Sequence, residues 1–209
     1  MSRLLHISSS PRGAESESLR IAQTFLDTYR DTHPDDEVET WDLWDGTLPE
    51  FGPAAATAKM AVIAGVELTG AQTLAWRQVQ GVVERFLAAD RLLFSLPMWN
   101  AGVPYILKQF IDVVSQPGTI FGVDPHTGYE ALLADHDKKA AVIYASGVWG
   151  PGLGTEFGSN FQAPYFVDWL RWTGITDITD LRYHPTLTGD ADNQRHKAHQ
   201  SAHEAGSCF

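Results

Sequence analysis

Apolar residues in this chain follow two rhythms, compact runs and longer stretches with helical spacing, and the two alternate along most of its length. Arg3 to Ser8 reads as a short buried strand. After a polar loop, Leu19, Ala22, Phe25, Leu26 and Tyr29 recur at helical spacing. Val38 to Leu43 alternates as a second strand. Residues 44–70 are rich in Gly, Pro and Ala, with a short helix over 54–64, and read as an insertion near the binding face. Leu74, Trp76, Val79, Val82, Val83, Phe86 and Leu87 make Thr73 to Ala89 an amphipathic helix that feeds a strand from Arg91 to Leu96. A helix over 104–115 follows, then a loop containing Phe121, Pro125 and Gly128. Beyond it come a strand from Lys139 to Ala145, a helix from Asn160 to Trp172, a strand from Thr176 to Tyr183 and a polar helix from Asp190 to Glu204.

Strands that alternate with helices need crossover connections, so the pattern predicts an α/β fold: a five-stranded parallel sheet with helices on both faces, in one domain over 1–209. Ligands of such sheets bind at the carboxyl ends of the strands, near the point where strand order reverses. The loops at 9–17, 97–103 and 146–159 fall at that edge.

Composition narrows the function classes. With 15 basic against 26 acidic residues the formal charge is −11, which argues against a nucleic-acid partner held by phosphate neutralisation. The N-terminus runs straight into Leu4-Leu5-His6-Ile7 with no secretory signal visible, and no apolar stretch reaches membrane-spanning length. Cys208 is the only cysteine, which excludes an internal disulfide and fits a reducing cytoplasm.

Two loops carry candidate chemistry. Ser10, Ser16, Glu17 and Ser18 precede or open a helix, where orphan N–H groups and the macrodipole favour a phosphate. Only Gly13 is present and no Gly-Lys-Ser/Thr follows, so a single terminal phosphate fits better than a dinucleotide pyrophosphate. Read plainly, the same serines are turn and cap residues. The second loop, Pro97-Met98-Trp99-Asn100-Ala101-Gly102-Val103-Pro104, follows a buried strand. Pro97 is expected to end the ladder, and Pro104 suits the first turn of the next helix. Backbone amides of Met98, Trp99 and Asn100, with an indole beside them, then suit a flat polar ligand such as a flavin ring.

Other signals weigh less. Gly150-Pro151-Gly152-Leu153-Gly154 lacks the strand-loop-helix context of a dinucleotide loop and reads as a lid. His196, His199 and His203 share a helix face but have no evident fourth metal ligand. His6 reads as a strand residue satisfied by a neighbour. The absence of a Gly-x-Ser-x-Gly elbow disfavours a serine hydrolase. Trp41, Trp44, Trp76, Trp169 and Trp172 read as core or interface anchors.

Ser10, Ser16 and Ser18 after a strand, then Pro-Met-Trp-Asn with Pro-x-x-Leu-Lys-x-Phe-Ile-Asp, then Gly118-Thr119-Ile120-Phe121, resemble the FMN-dependent NAD(P)H azoreductase family of flavodoxin-like quinone reductases, from about residue 3 to about 185. The resemblance implies a flavodoxin-like three-layer fold with bound FMN and NADH or NADPH as reductant. Ser10 and Ser16-Glu17-Ser18 match the phosphate loop, and Pro97, Met98, Trp99, Asn100 and the adjoining Ala101 match the loop that holds the ring. Ser146, Gly147, Val148 and Trp149 stand where the family has Ser-Arg-Gly-Gly, a departure that alters the ring's surroundings. Phe121 matches an aromatic that covers a neighbouring subunit's site, which implies a homodimer. Phe121, Trp99 and Trp149 are the substrate-side candidates, with two readings open for Trp149: its side chain stacks over the ring and narrows the substrate pocket, or it packs away beneath the lid. Enzymes of this kind pass hydride from a nicotinamide to the flavin and then reduce a quinone, azo or nitroaromatic acceptor, with no protein nucleophile. The rival readings are an FMN electron carrier that works with protein partners and a non-catalytic binding module.

Overall fold

The computed structural model describes residues 1–209. In chain order its elements are β1 (Arg3–Ser8), α1 (Glu17–Thr32), β2 (Glu37–Asp42), α2 (Pro53–Ile63), α3 (Gly70–Leu87), β3 (Arg91–Pro97), α4 (Tyr105–Val114), β4 (Phe121–Asp124), β5 (Gly128–Ala131), β6 (Lys139–Ala145), α5 (Gln162–Thr173), β7 (Asp177–Tyr183) and α6 (Ala191–Cys208). Five strands form a parallel sheet in the order β2-β1-β3-β6-β7, as the alternation of elements predicts. The chain leaves β1 toward β2 and then returns to the other side of β1 as β3. Strand order thus reverses between β1 and β3, which opens a crevice at their carboxyl ends.

The central strands are buried on both faces, which is why they read as continuous apolar runs. On one face Leu5, Ile7, Leu92 and Phe94 pack with Trp76 and Phe86 of α3, Phe110 of α4 and Phe166 of α5. On the other, Leu4, Leu93, Ala141 and Ile143 pack with Ile21 and Phe25 of α1 and Ala198 and Ala202 of α6.

Several boundaries differ from the sequence reading, each for a local reason. Pro97 belongs to β3 and pairs in register with Ala145, rather than ending the ladder. The next N–H, of Met98, donates to the Ala145 carbonyl at 2.7 Å, so the nitrogen of Pro97 faces the β1 side. There the β1–β3 register has already ended at Ser8–Ser95, so no donor is missed. Pro104 is the cap of α4, one place before its first turn. The helix α3 begins earlier than expected because Gln72 Oε1 reaches back to accept from Thr69 N at 3.1 Å. The segment read as a loop around Phe121 is a small antiparallel hairpin, β4–β5. Asp124 Oδ1 closes its turn by accepting from the N–H groups of His126 and Thr127, each at 2.8 Å.

The helix α6 extends beyond Glu204 to Cys208. Its small residues Ala198, Ala202 and Gly206 let it lie close on α1, so close that a Cβ on Gly206 would stand 2.5 Å from the Phe25 carbonyl oxygen. His199 serves this contact, with Nδ1 2.7 Å from Thr24 Oγ1. No group of three or more His, Cys, Asp or Glu is arranged to hold a metal ion. No helix is long and apolar enough to cross a membrane.

Candidate functional site

The first loop leaves β1 through Ser9 and Ser10, makes one 3-10 turn at Gly13–Glu15 and enters α1. Ser16 is the helix cap, its Oγ accepting from Leu19 N at 3.4 Å, while Ser18 lies inside the first turn with Oγ 3.1 Å from Ser16 Oγ. Ser9, Ser10, Ser16 and Ser18 are all buried. The N–H groups of Glu17 and Ser18 have no acceptor within the chain, as expected of a helix start. The Glu17 carboxylate pairs with Arg20 at 3.3 Å and with Arg195 at 3.4 Å. What Glu17 adds to an anion site is therefore its backbone donor, with its charge neutralised by the two arginines.

The second loop is built on a two-residue turn. Trp99 N donates to Gly102 O at 3.0 Å and Gly102 N to Trp99 O at 2.9 Å, with Asn100 and Ala101 between them at φ 49° and 66°. Asparagine tolerates this left-handed backbone. For alanine it costs about 1 kcal/mol, a strain maintained by the surrounding structure, here by Phe161 N donating to Ala101 O at 2.8 Å. The turn also decides which amides are free. Of the three proposed donors, Met98 is committed to Ala145 and Trp99 to Gly102, so only Asn100, joined by Ala101, keeps an N–H without an acceptor in the chain.

The third loop follows β6. Ser146 N is used by the Tyr183 carbonyl at 3.2 Å, and the amides of Gly147, Val148 and Trp149 have no acceptor. A segment that sequence reasoning did not place at the site, residues 184–190 after β7, clamps this loop. Thr186 N donates to Ser146 O at 2.8 Å and Leu187 N to Gly147 O at 2.9 Å. The Trp149 ring rests on the His184 ring at a centroid distance of 4.9 Å. His184 is buried, and burial together with the nearby Arg182 guanidinium lowers its pKa below the ordinary histidine value, so it is neutral at pH 7.

The second and third loops face each other across a cavity of about 300 Å³. Met98, Asn100 and Ala101 line one side, Ser146, Gly147, Val148 and Trp149 the other, and Phe157, Gly158 and Ser159 the rim. Of the residues singled out from the sequence, this brings together the ring-loop set apart from Pro97 and Trp99. The Trp99 indole instead joins Trp44 at 5.9 Å and Tyr105 at 6.1 Å. Trp44 in turn donates from Nε1 to the Ser9 carbonyl at 3.0 Å, which ties this aromatic cluster to the serine loop. Trp44 thus packs against the core, as an anchor, and also links the serine loop to Trp99. The available signal for that link was its place two residues past the carboxyl end of β2. Phe121 lies outside the cavity, its buried ring against Trp172 at 4.5 Å and Tyr129 at 5.7 Å.

A separate groove of about 410 Å³ beside α1 includes His6, Arg20, Arg30 and Thr40. His6 is satisfied there, with Nε2 3.0 Å from Ser95 Oγ and Nδ1 3.4 Å from Thr40 Oγ1. Burial foremost, with Arg30 adding to it, lowers its pKa to about 4. Ser95 is fully buried, so this serine–histidine contact offers no nucleophile to a substrate.

A sequence profile described as the flavodoxin-like fold matches residues 2–205. The chain is 41% identical over 190 residues to an FMN-dependent NADH:quinone oxidoreductase of Ruegeria pomeroyi, covering 91% of this chain and 92% of that one. A protein of the same description from Desulfotalea psychrophila is 40% identical, with 93% and 91% covered. Among solved structures, an azoreductase from Bacillus anthracis superposes over the full length of both chains with a TM-score of 0.88 at 25% identity. The likeness thus runs past residue 185 and takes in α6. By fold, by length and by identity, this chain belongs to the flavodoxin-like fold family, among the FMN-dependent NADH:quinone oxidoreductases.

Proposed function

We propose that this chain is an FMN-dependent NADH:quinone oxidoreductase that also reduces azo and nitroaromatic acceptors. The observation that carries the reading is the set of unpaired backbone donors on facing loops at the strand-order reversal, with a serine-lined helix start beside them. The residues present fit the cofactor. Hydroxyls of Ser10, Ser16 and Ser18 and the N–H groups of Glu17 and Ser18 would hold its phosphate, in a loop whose Glu17 is neutralised by arginines. Met98, Asn100 and Ala101 would border the ring on one side and Ser146, Gly147, Val148 and Trp149 on the other, with Pro97 and Trp99 shaping the loop from outside the cavity.

FMN, when bound, accepts hydride from NADH and passes two electrons to the acceptor. The chain's own task is placement and electrostatics. The amides of Asn100, Ala101, Gly147 and Val148 offer fixed positive dipole ends that favour negative charge in a ring they face, and they need no reorganisation to do so. Trp149 and Phe157 add aromatic walls to the cavity. The relatives' descriptions name NADH, which favours it over NADPH.

We place the protein in the cytoplasm as a homodimer. Its single, exposed Cys208 and the exposed aromatics Tyr105, Phe161 and Tyr129 support those two assignments. Sedimentation velocity should give twice the chain mass.

Anaerobic stopped-flow of the FMN-loaded protein tests the function. NADH should bleach the flavin and a quinone should restore its colour within one mixing cycle. A protein that binds no FMN, or whose bound FMN is left oxidised by NADH, would overturn the proposal.

A further inference from the structure

We propose that Trp149, propped by His184, is the wall that limits how far an acceptor extends beyond the ring loops, making it the specificity-determining residue of this chain. The inference rests on the function proposed above. Trp149 lines the cavity of about 300 Å³ opposite Met98 and Asn100. A second cavity of about 360 Å³ lies next to it, lined in part by His184, Pro185 and Thr188, and Phe157 borders both. Trp149 lines the first space and not the second, and His184, whose ring touches the indole, lines the second and not the first. Together with Phe157 they form the partition.

The indole is held from both sides along the chain. Before it, a Cβ on Gly147 would stand 3.1 Å from Leu187 Cδ1, and Leu187 N donates to the Gly147 carbonyl at 2.9 Å. After it, a Cβ on Gly150 would stand 3.0 Å from Pro185 Cδ. Glycine at both places lets the loop press onto the 184–187 segment, so the Trp149 backbone has little room to carry its side chain away. Beneath the indole, His184 has an unpartnered Nδ1 and is buried. Its ring meets the indole at an interplanar angle of 59°, a side contact that makes it a positioning residue. A glycine at 149 would leave no partition. With the indole present, compact quinones are the better-fitting class, and bis-aryl azo compounds, which carry a second ring beyond the N=N bond, are reduced less well because they meet the wall.

The test compares kcat/KM for benzoquinone and for a bis-aryl azo dye, with NADH as reductant, across the unaltered protein, Trp149→Ala, His184→Ala and His184→Phe. Opening the partition should raise the azo-to-quinone ratio about ten-fold in Trp149→Ala, the scale on which one hydrophobic wall discriminates substrates. His184→Ala, which lets the indole tilt, should raise it about three-fold. His184→Phe keeps a ring against the indole and should return the ratio to that of the unaltered protein. If Trp149→Ala does not fold, the two His184 variants decide alone. A ratio unchanged in every variant that still turns over quinone would overturn this inference and leave the proposed function standing. An unaltered protein that binds no FMN or does not oxidise NADH would overturn the proposed function and this inference with it.

Discussion

Removing one hydroxyl isolates the phosphate loop from everything else the site does. Ser18 is the right one, because the Ser16 hydroxyl also caps α1 through Leu19 N and its loss would mix helix stability with binding. The Ser18 hydroxyl is buried, and its one partner in the chain is Ser16 Oγ at 3.1 Å. That neutral bond contributes about 1 kcal/mol net, so Ser18→Ala should fold with a small loss of stability. A hydroxyl donating to a phosphate oxygen is charge-assisted and contributes about 2 kcal/mol. At about 1.4 kcal/mol per ten-fold, the variant should bind FMN about 30 times more weakly. Riboflavin carries the same ring without the phosphate, so its affinity should not move. Titrating the apoprotein with each flavin, followed by quenching of flavin fluorescence, reads both values. Equal weakening toward the two flavins, or none toward FMN, would refute the assignment of the 9–18 loop to the phosphate.

Further expectations follow from backbone strain and from burial. His6 has a folded pKa of about 4 against an ordinary value of 6.5, so below pH 6.5 the unfolded chain takes up a proton that the folded one refuses. Stability from this group is therefore complete above pH 6.5 and is lost as pH falls toward 4, by about 3 kcal/mol in urea unfolding. His6→Gln should flatten that part of the profile, and an equally steep slope in the variant would place the proton uptake elsewhere. Ala101→Gly relieves the left-handed φ of 66° and should stabilise the fold by about 1 kcal/mol in thermal unfolding, whereas a destabilised variant would show that the alanine methyl packs. Gly174→Ala should cost about 3 kcal/mol, since φ is 107° and the new Cβ would run into the backbone of Ala134; a loss below the error of urea unfolding would contradict the close approach of α5's end to that segment.

The parts of the fold that sequence alone makes legible are those whose pattern is local. The strands β1, β3 and β6 are buried on both faces and read as near-continuous apolar runs, interrupted only by His6 in β1 and Ser95 in β3, and α1 and α3 show their stripes. β2 carries only one fully buried side chain, Trp41, so its ends are poorly marked and the observed strand begins and stops one residue earlier. The hairpin of β4 and β5 is hidden because four-residue strands are too short to show a period. At the site, the loops themselves could be placed, because each follows an apolar run. Which amides remain free could not, since Met98 and Ser146 are taken by neighbouring strands and Trp99 by its own turn. His184 escaped for the same reason: what puts it beside the third loop is a contact with Trp149, far from it in sequence.

The central claim is that facing loops at the β1, β3 and β6 carboxyl ends hold FMN through backbone donors and the serine-lined start of α1. Peptide-resolved hydrogen exchange with and without FMN tests it most directly. Protection should rise over the segments that contain Glu17 and Ser18, Asn100 and Ala101, and Gly147 to Trp149, and little elsewhere. Protection confined to the groove beside His6 and Arg30, or none on adding saturating FMN, would contradict the account.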